Sequence, residues 1–225
     1  MTTALLAAGA YLLGSVPFGY WLVRAAKGVD IRTVGSGNIG ASNVWRTYGW
    51  RYGLPVLLFD IAKGLVPALV ATQVVGSLAG VIAGGAAMLG HARPIFLGFA
   101  KGGKAVATAG GAFLGLAPIV GLIGAGIWIG VFVVTRYASV ASIVSACSLP
   151  LLARAFGEPW PVIAFGGAAA ATVIVLHRQN IRRLFAGTES RAKPWREALR
   201  AVSRPNAKSS RRPASPTDAT DAPTP

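Results

Sequence analysis

Long apolar runs separated by short polar joints make up most of the chain. A membrane-spanning helix needs about 20 mostly apolar residues, and fewer where the helix is broken or its flanking side chains reach the interface. Seven runs meet this requirement, which predicts an all-α polytopic membrane protein with seven transmembrane helices. The predicted spans are residues 3–24, 53–73, 75–97, 105–117, 118–135, 137–155 and 159–177. The fourth run is short, and joining it to the fifth across Pro118 would give six spans.

The joints between these runs alternate in charge. The joint at 24–52 holds five basic residues, the joint at 98–104 holds Lys101 and Lys104, and Arg136 forms a third basic joint. The alternate joints, near Gln73, near Leu116 and at 154–158, carry one basic residue in total. By the positive-inside rule, the amino terminus is outside and the carboxyl terminus cytoplasmic, which requires an odd number of spans. The first run has no positively charged segment before it, so we expect a retained helix and not a signal peptide.

Composition agrees with a membrane location. The chain is 53% apolar and 13% charged, with a mean hydropathy of +0.56. Its net charge of +15 could suggest nucleic-acid binding, but eleven of the 22 Lys and Arg lie within residues 178–212 and most others lie in the joints. This is how a membrane protein distributes charge. One cysteine and two histidines exclude a disulfide framework and a zinc cluster.

The carboxyl-terminal region differs in composition from the rest. We expect a membrane-embedded domain over residues 1–191 and a disordered, basic and Pro-rich tail over 203–225, because the tail lacks large apolar residues. Residues 192–202 place Trp195, Leu199 and Val202 at helical spacing, which suits a short helix on an anionic leaflet. A solvated basic segment is the alternative.

The first polar cluster is GSGNIGASNVWRTYG at 35–49. A loop rich in glycine and small polar side chains that leads into a helix can present backbone N–H groups to an anion. Arg46 lies one turn after Asn43, so the two side chains can face the same point. An ordinary turn between helices is the competing interpretation.

The second cluster is GFAKGGKAVAT at 98–108, which nearly spells a phosphate-binding loop. Ala105 stands where the metal-binding Ser or Thr of an NTPase would be, and no alternation of strands and helices surrounds it. A lysine among glycines at the start of a helix still favours a phosphate ligand. A lysine that only fixes topology is the alternative.

The third cluster, HRQNIRRLFAGTESR at 177–191, places His177 and Asn180 on one helix face. A solvated helix-end histidine is the alternative for His177. Asp60 and Lys63 lie inside the second apolar run, where ionisable residues are costly and therefore usually functional. A structural ion pair is the alternative for these two. The three clusters lie on the predicted cytoplasmic side, so they can meet at one site for a phosphorylated substrate.

Six sequence pieces together resemble a known family. They are GSVPFG at 14–19, SGNIGASNVWRTYG at 36–49, FDIAKG at 59–64, GH at 90–91, GGKAVAT at 102–108 and HRQNIRRLFAGTESR at 177–191. In order and approximate spacing they resemble the PlsY family, the bacterial acyl-phosphate-dependent glycerol-3-phosphate acyltransferases of the inner membrane. The chain has Ser42, Ala105 and Gln179 where the family usually has Thr, Gly and Glu.

The resemblance implies that a fatty acyl group passes from acyl phosphate to the sn-1 hydroxyl of glycerol 3-phosphate, giving lysophosphatidic acid and phosphate in phospholipid biosynthesis. It implies catalytic roles for Ser36, Arg46, Lys104, His177 and Asn180, and substrate-binding roles for Gly37, Asn38, Ser42, Asn43, Asp60, Lys63, Gly102, Gly103, Thr108 and Glu189. Lys104 with its two preceding glycines would hold a phosphate, foremost that of the donor. Either His177 or a substrate phosphate would remove the hydroxyl proton.

The resemblance also implies a multi-pass protein of the bacterial inner membrane whose site faces the cytoplasm. Its partners would be the two substrates and membrane lipids, without cofactor, metal or nucleic acid, and we expect a monomer. Two other functions remain open. One is a transporter of a phosphorylated solute, which predicts polar residues at mid-membrane depth and repeated broken helices. The other is an inactive lipid-binding relative in which the methyl group of Ala105 blocks phosphate approach.

Overall fold

The computed structural model describes residues 1–192, and all regular structure in that range is helical. The predicted surface helix and disordered tail therefore lie almost wholly outside the described residues. Two short 3-10 turns lie at Ile31–Thr33 and Ile95–Leu97. The helices are α1 (Thr2–Gly14), α2 (Phe18–Lys27), α3 (Ala41–Tyr48), α4 (Trp50–Val74), α5 (Ser77–Ala92), α6 (Val106–Leu116), α7 (Pro118–Thr135), α8 (Ala138–Ala155), α9 (Trp160–Leu176) and α10 (Arg178–Phe185).

The first predicted span, 3–24, is not one helix. It breaks between α1 and α2 at Ser15, Val16 and Pro17. Proline has no N–H to donate and its ring clashes with the preceding turn, so Pro17 favours an end of α1 before it. The Leu13 carbonyl instead accepts the Val16 N–H at 3.2 Å. The break leaves the Val16 carbonyl available to the side chain of Lys63, whose ammonium donates a hydrogen bond to it.

Five stretches of the described chain are long and apolar enough to cross a bilayer, and the joined α1–α2 stretch is one of them. A sixth is obtained if α9 and α10, which meet at a bend of 58°, are counted as one span. The predicted fourth span, 105–117, corresponds to α6, whose 11 residues rise only about 16 Å. Length and composition therefore establish five or six spans.

Very small residues allow the helices that carry the polar clusters to pack closely. A Cβ added at Gly64 of α4 would overlap the Thr108 carbonyl of α6, and one at Gly111 of α6 would overlap the Ile61 carbonyl of α4. Small residues are the usual means by which helix backbones approach each other in a membrane. The contact fixes the start of α6 against the polar part of α4.

Candidate functional site

Three polar segments that are distant in sequence meet at one end of the helices. The Lys104 ammonium donates a hydrogen bond to Asn180 Oδ1. Lys101 Nζ donates to Gln179 Oε1 at 3.3 Å, and Asn38 Nδ2 donates to the Gly102 carbonyl at 3.4 Å. The structure thus brings together the clusters at 35–49, 98–108 and 177–191.

Asn43 organises the first segment from the inside. It is 2% exposed, its Oδ1 accepts the Ser36 N–H at 2.9 Å, and its Nδ2 faces the carbonyls of Val34 and Asn38 at 3.0 and 2.9 Å. Each side-chain polar atom of Asn43 is therefore engaged in holding the loop. Its role is to shape the loop that presents Ser36, and it does not itself face the pocket.

The amides of the two glycines before Lys104 were expected to hold a phosphate, but in the structure they bind backbone carbonyls. The Gly102 N–H donates to the Ala92 carbonyl and the Gly103 N–H donates to the His91 carbonyl, both at 3.0 Å. These donors are therefore already paired with the end of α5. A Cβ at either position would overlap His91, so glycine is required here for close packing.

Ala105 immediately precedes α6 and adopts the left-handed conformation, with φ of +57°. An L-residue adopts this conformation at a cost of about 1–2 kcal/mol, and glycine does so freely. The residue is fully buried in the main apolar cluster, together with Phe113 and Leu149. Its methyl group is accordingly part of the core.

Lys104 is a partly buried cation whose surroundings weaken its hold on its proton. Burial, followed by the nearby charges of Arg183, Arg46 and Lys101, lowers the pKa of Lys104 from 10.5 to about 8, although Glu189 opposes this shift. A cation placed among other cations is stabilised when an anion binds between them. The electrostatics at Lys104 therefore favour an anionic ligand.

Glu189 joins the third segment to the rest of the site. Its Oε1 accepts from Asn180 Nδ2 at 2.6 Å and from Ser139 Oγ at 2.9 Å, and its Oε2 accepts from Arg183 Nε at 2.7 Å. Burial raises the pKa of this carboxyl, but the hydrogen bonds from Asn180, Arg183 and Ser139 outweigh burial and lower it. Because its Nδ2 donates to Glu189, Asn180 turns its Oδ1 towards Lys104. Sequence reasoning missed Ser139 and Arg183, since neither lies at a motif spacing from Glu189.

His177 lies at the end of α9, one turn before Ile181, and is 3% exposed. Its Nδ1 lies 2.8 Å from the Val173 carbonyl. A carbonyl oxygen can only accept, so Nδ1 carries the proton and Nε2 is the nitrogen able to take one. The tautomer fits a proton acceptor at Nε2.

A pocket of about 230 Å³ opens beside this network. Its volume is below the usual 300–1,000 Å³ of drug-sized sites, so it suits a small polar molecule. Together with Lys104, the two arginines and one glutamate that line it give a local net charge of +2, which favours an anion over a metal ion. The lining residues are Gly35, Ser36, Arg46, Asn180, Arg183, Glu189 and Ser190.

Four of the predicted site residues line this pocket, namely Ser36, Arg46, Asn180 and Glu189. Gly35, Arg183 and Ser190 were not predicted. Thr108, Asp60 and Lys63 lie elsewhere, buried among the helices. The remaining predicted residues do not line the pocket, and they are Gly37, Asn38, Ser42, Asn43, Gly102, Gly103, Lys104 and His177.

Asp60 and Lys63 form an ion pair inside the protein. Their charged atoms are 2.7 Å apart, and the Lys63 ammonium also reaches the Val16 carbonyl at 3.3 Å. The side chains are 5% and 1% exposed. The two residues are therefore paired with each other, and the break before α2 supplies a further partner for Lys63.

Comparison with known proteins gives one consistent result. The family model described as glycerol-3-phosphate acyltransferase matches residues 4–187. A glycerol-3-phosphate acyltransferase of Geobacter sulfurreducens is 50% identical over 190 residues, covering 84% of this chain and 97% of the relative.

Two solved structures are also similar. Both are of PlsY, an integral membrane glycerol 3-phosphate acyltransferase. The glycerol 3-phosphate form has a TM-score of 0.84 and 41% identity, and covers 91% of this chain and 100% of that chain. The lysophosphatidic acid form has a TM-score of 0.82 and 40% identity, and covers 88% of this chain and 100% of that chain.

Proposed function

The chain belongs to the glycerol-3-phosphate acyltransferase family, and we propose that its pocket is where glycerol 3-phosphate is acylated to lysophosphatidic acid. A fatty acyl group passes from acyl phosphate to the sn-1 hydroxyl, and inorganic phosphate leaves. The enzyme is a membrane acyltransferase of phospholipid biosynthesis. The observation that carries the site assignment is the excess of cations around Asn180: Lys104, Arg46 and Arg183 surround a single carboxylate that is already hydrogen-bonded.

Acyl phosphate is a mixed anhydride with a good leaving group, so the protein needs to align two anions and stabilise developing charge. Arg46 and Arg183 hold one phosphate and Lys104 holds the other. The hydroxyl oxygen attacks the acyl carbon while the carbon–oxygen bond to phosphate breaks. The hydroxyl proton passes to His177 Nε2 or to a substrate phosphate oxygen, and the departing phosphate carries away the electron pair of the broken bond. No serine nucleophile is needed.

The site is proposed to face the cytoplasm in a chain with seven crossings. Segments 28–49, 93–105 and 177–192 meet at the site end and include most of the basic joints. At the other end, Gly80 near the start of α5 packs against Thr72 of α4 and Leu116 of α6. This alternation counts the short α6 as a crossing and, by the positive-inside rule, places the amino terminus outside.

Cysteine labelling tests the topology. In a Cys147→Ser background, a cysteine at Thr2 should react with an impermeant thiol reagent in intact cells, and one at Thr188 should react only after lysis. Labelling of both in intact cells would contradict the seven-crossing arrangement. Both target positions are on exposed parts of the chain.

Phosphate release from acyl phosphate by the purified protein, with and without glycerol 3-phosphate, tests the reaction. We expect release that depends on glycerol 3-phosphate, with lysophosphatidic acid formed in equal amount. A transporter or an inactive relative would give neither. Arg46→Ala should lower kcat/KM about 10²-fold. The matched control is Arg51→Ala, because Arg51 lies over the Trp50 ring outside the pocket and its loss should change kcat/KM less than about threefold.

A further inference from the structure

A buried polar cluster lies directly beneath the loop that carries Lys104, outside the pocket. Asp60 Oδ1 is 2.7 Å from Lys63 Nζ and 3.5 Å from His91 Nδ1. All three side chains are at most 5% exposed. Within residues 1–192, His91 Nδ1 has no hydrogen-bond partner and faces this carboxylate. The reaction assigned above uses none of these groups.

The His91 ring connects this cluster to the loop. While Nδ1 faces Asp60, Nε2 and its ring neighbours Cε1 and Cδ2 occupy the space where a Cβ of residue 103 would lie. The His91 carbonyl also accepts the Gly103 N–H. Gly103 is therefore held by both the side chain and the backbone of His91. Lys104 is the next residue along the chain.

A buried ion pair is a poor means of gaining stability alone, because well-packed apolar residues of similar volume often do as well or better. A carboxylate that faces the Nδ1 edge of the His91 ring, while the Nε2 edge packs on Gly103, does something that apolar residues cannot: it favours one position of the ring. The position of the ring in turn limits how far the backbone at Gly103 can settle towards α5. A displacement of about 1 Å at a reacting group can cost about 10²-fold in rate.

We propose that His91, held by the Asp60–Lys63 pair, is a positioning residue. It sets the distance between the Gly103 backbone and α5, and thereby the position of the Lys104 ammonium relative to the transferring phosphate. The inference rests on the proposed function, since that function gives Lys104 its phosphate. It concerns a residue that acts through Lys104 and does not touch substrate.

Size compensation between positions 91 and 103 is the first test. Gly103→Ala should lower kcat/KM by about 10²-fold, because the added methyl meets a ring that Asp60 prevents from yielding. His91→Asn, which removes the far edge of the ring, should lower kcat/KM about tenfold. The double variant should be at least about tenfold more active than Gly103→Ala, because the methyl then occupies the space that the ring has left.

Gly102→Ala is the matched control. Its Cβ would overlap the backbone carbonyl of His91, which no side-chain change at position 91 can relieve. His91→Asn should therefore restore nothing to Gly102→Ala. All values are taken per folded molecule, from the monodisperse fraction in detergent, so that differences in folding yield do not enter.

Coupling to Lys104 is the second test, and it separates positioning from general support. If His91 acts through Lys104, then adding His91→Asn to Lys104→Gln should lower kcat/KM no further, whereas independent effects would multiply. Met88→Ala, an equally buried change one turn earlier on α5, should leave kcat/KM of the folded protein within about threefold.

Three results would overturn the inference: near-normal activity of Gly103→Ala, rescue of Gly102→Ala as good as that of Gly103→Ala, or multiplication of the His91 and Lys104 effects. Failure of the proposed function is distinct from these, because it would appear as wild-type protein that does not acylate glycerol 3-phosphate. If Gly103→Ala does not fold, the Lys104 coupling decides alone.

Discussion

Among the described residues, Lys63 and Lys104 both contact polar partners within the protein, and their partners differ in kind. Lys63 is buried and lies 2.7 Å from a carboxylate, so its charge is neutralised within the protein. Lys104 is partly buried and donates to an amide, while the nearest carboxylate, Glu189, is occupied by Ser139, Asn180 and Arg183. A paired cation serves the fold, and a cation held by a neutral group stays available to an anionic ligand. We therefore expect changes at the Lys63 pair to lower stability and changes at Lys104 to lower catalytic activity.

The largest expected effect is on stability, at the Lys63 site. Asp60→Asn leaves the Lys63 ammonium buried without its counter-charge, and breaking a buried pair in this way costs about 3–5 kcal/mol. Asp60→Asn combined with Lys63→Met removes both charges and should recover most of the loss. Thermal unfolding in detergent measures both. A double variant no more stable than the single one would show that the pair is not the source of the cost.

At Lys104 the expected effect is on turnover. Lys104→Ala should lower kcat/KM about 10²-fold or more, which corresponds to about 2.7 kcal/mol of transition-state stabilisation, while the melting temperature changes little. Lys104→Arg should rescue poorly, because a planar guanidinium does not replace a compact ammonium. Lys101→Ala is the control in the same loop, since Lys101 is exposed and bonds only to Gln179 among the described residues. Near-normal activity of Lys104→Ala would show that Lys104 does not stabilise the transition state.

Raising the pH should reproduce the Lys104 effect reversibly. With a pKa of about 8, Lys104 is an ammonium below that pH and a neutral amine above it. The value of kcat/KM, which reports the free enzyme, should therefore fall as pH rises through about 8, approaching tenfold per unit. The bound phosphate favours the ammonium, so kcat should hold to higher pH. A pH profile of Lys104→Gln that keeps the same inflection would assign it to another group.

The lowered pKa of Lys104 also predicts that stability rises with pH over the range where activity falls. Because the lysine binds its proton less tightly when folded, the unfolded state takes up more protons between about pH 8 and 10.5. This contribution to the free energy of unfolding rises with pH over that window, just where activity is lost. Comparing wild type with Lys104→Gln isolates the contribution.

The smallest expected effect concerns Ala105. Replacement by glycine relieves about 1–2 kcal/mol of left-handed strain but removes a buried methyl worth about 0.8 kcal/mol. The net gain in stability should be about 0.2–1.2 kcal/mol, with kcat/KM within about threefold of wild type. A large rise in activity would instead indicate that the methyl group obstructs the phosphate, as the inactive-relative alternative supposes.

The parts of the structure that follow from periodicity and charge could be read from the sequence. Apolar runs predicted an all-helical protein, and alternating charge on the joints predicted that Lys104, Asn180 and Arg46 can meet, as Lys104 and Asn180 do. The α1–α2 break was signalled by Pro17, but the partner of the Val16 carbonyl was not, because Lys63 lies 47 residues away. Asp60 and Lys63 were read as functional from their cost, which does not distinguish a ligand site from an internal pair.

The hydrogen-bond partners of individual groups could not be predicted from the sequence. The amides of Gly102 and Gly103 looked available to a phosphate because nothing in the motif indicates that carbonyls at the end of α5 accept them. The role of Glu189 likewise depends on Ser139, at the start of a helix 50 residues earlier. Such pairings are decided by how helices stack, which a linear pattern does not contain.

The shortness of α6 has a consequence for how the enzyme meets its substrates. A helix rising about 16 Å covers roughly half of a hydrocarbon layer about 30 Å thick, so if α6 is a crossing as proposed, at least one of the loops that flank it lies below the level of the lipid headgroups, and the consequence follows if this is the loop that carries Lys104. A lipid-dissolved acyl donor can then reach Lys104 by lateral diffusion, without leaving its leaflet, while glycerol 3-phosphate descends from the water. The donor concentration that governs turnover is in that case its mole fraction in the bilayer, so dilution with inert lipid slows the reaction at constant bulk concentration and dilution with buffer does not.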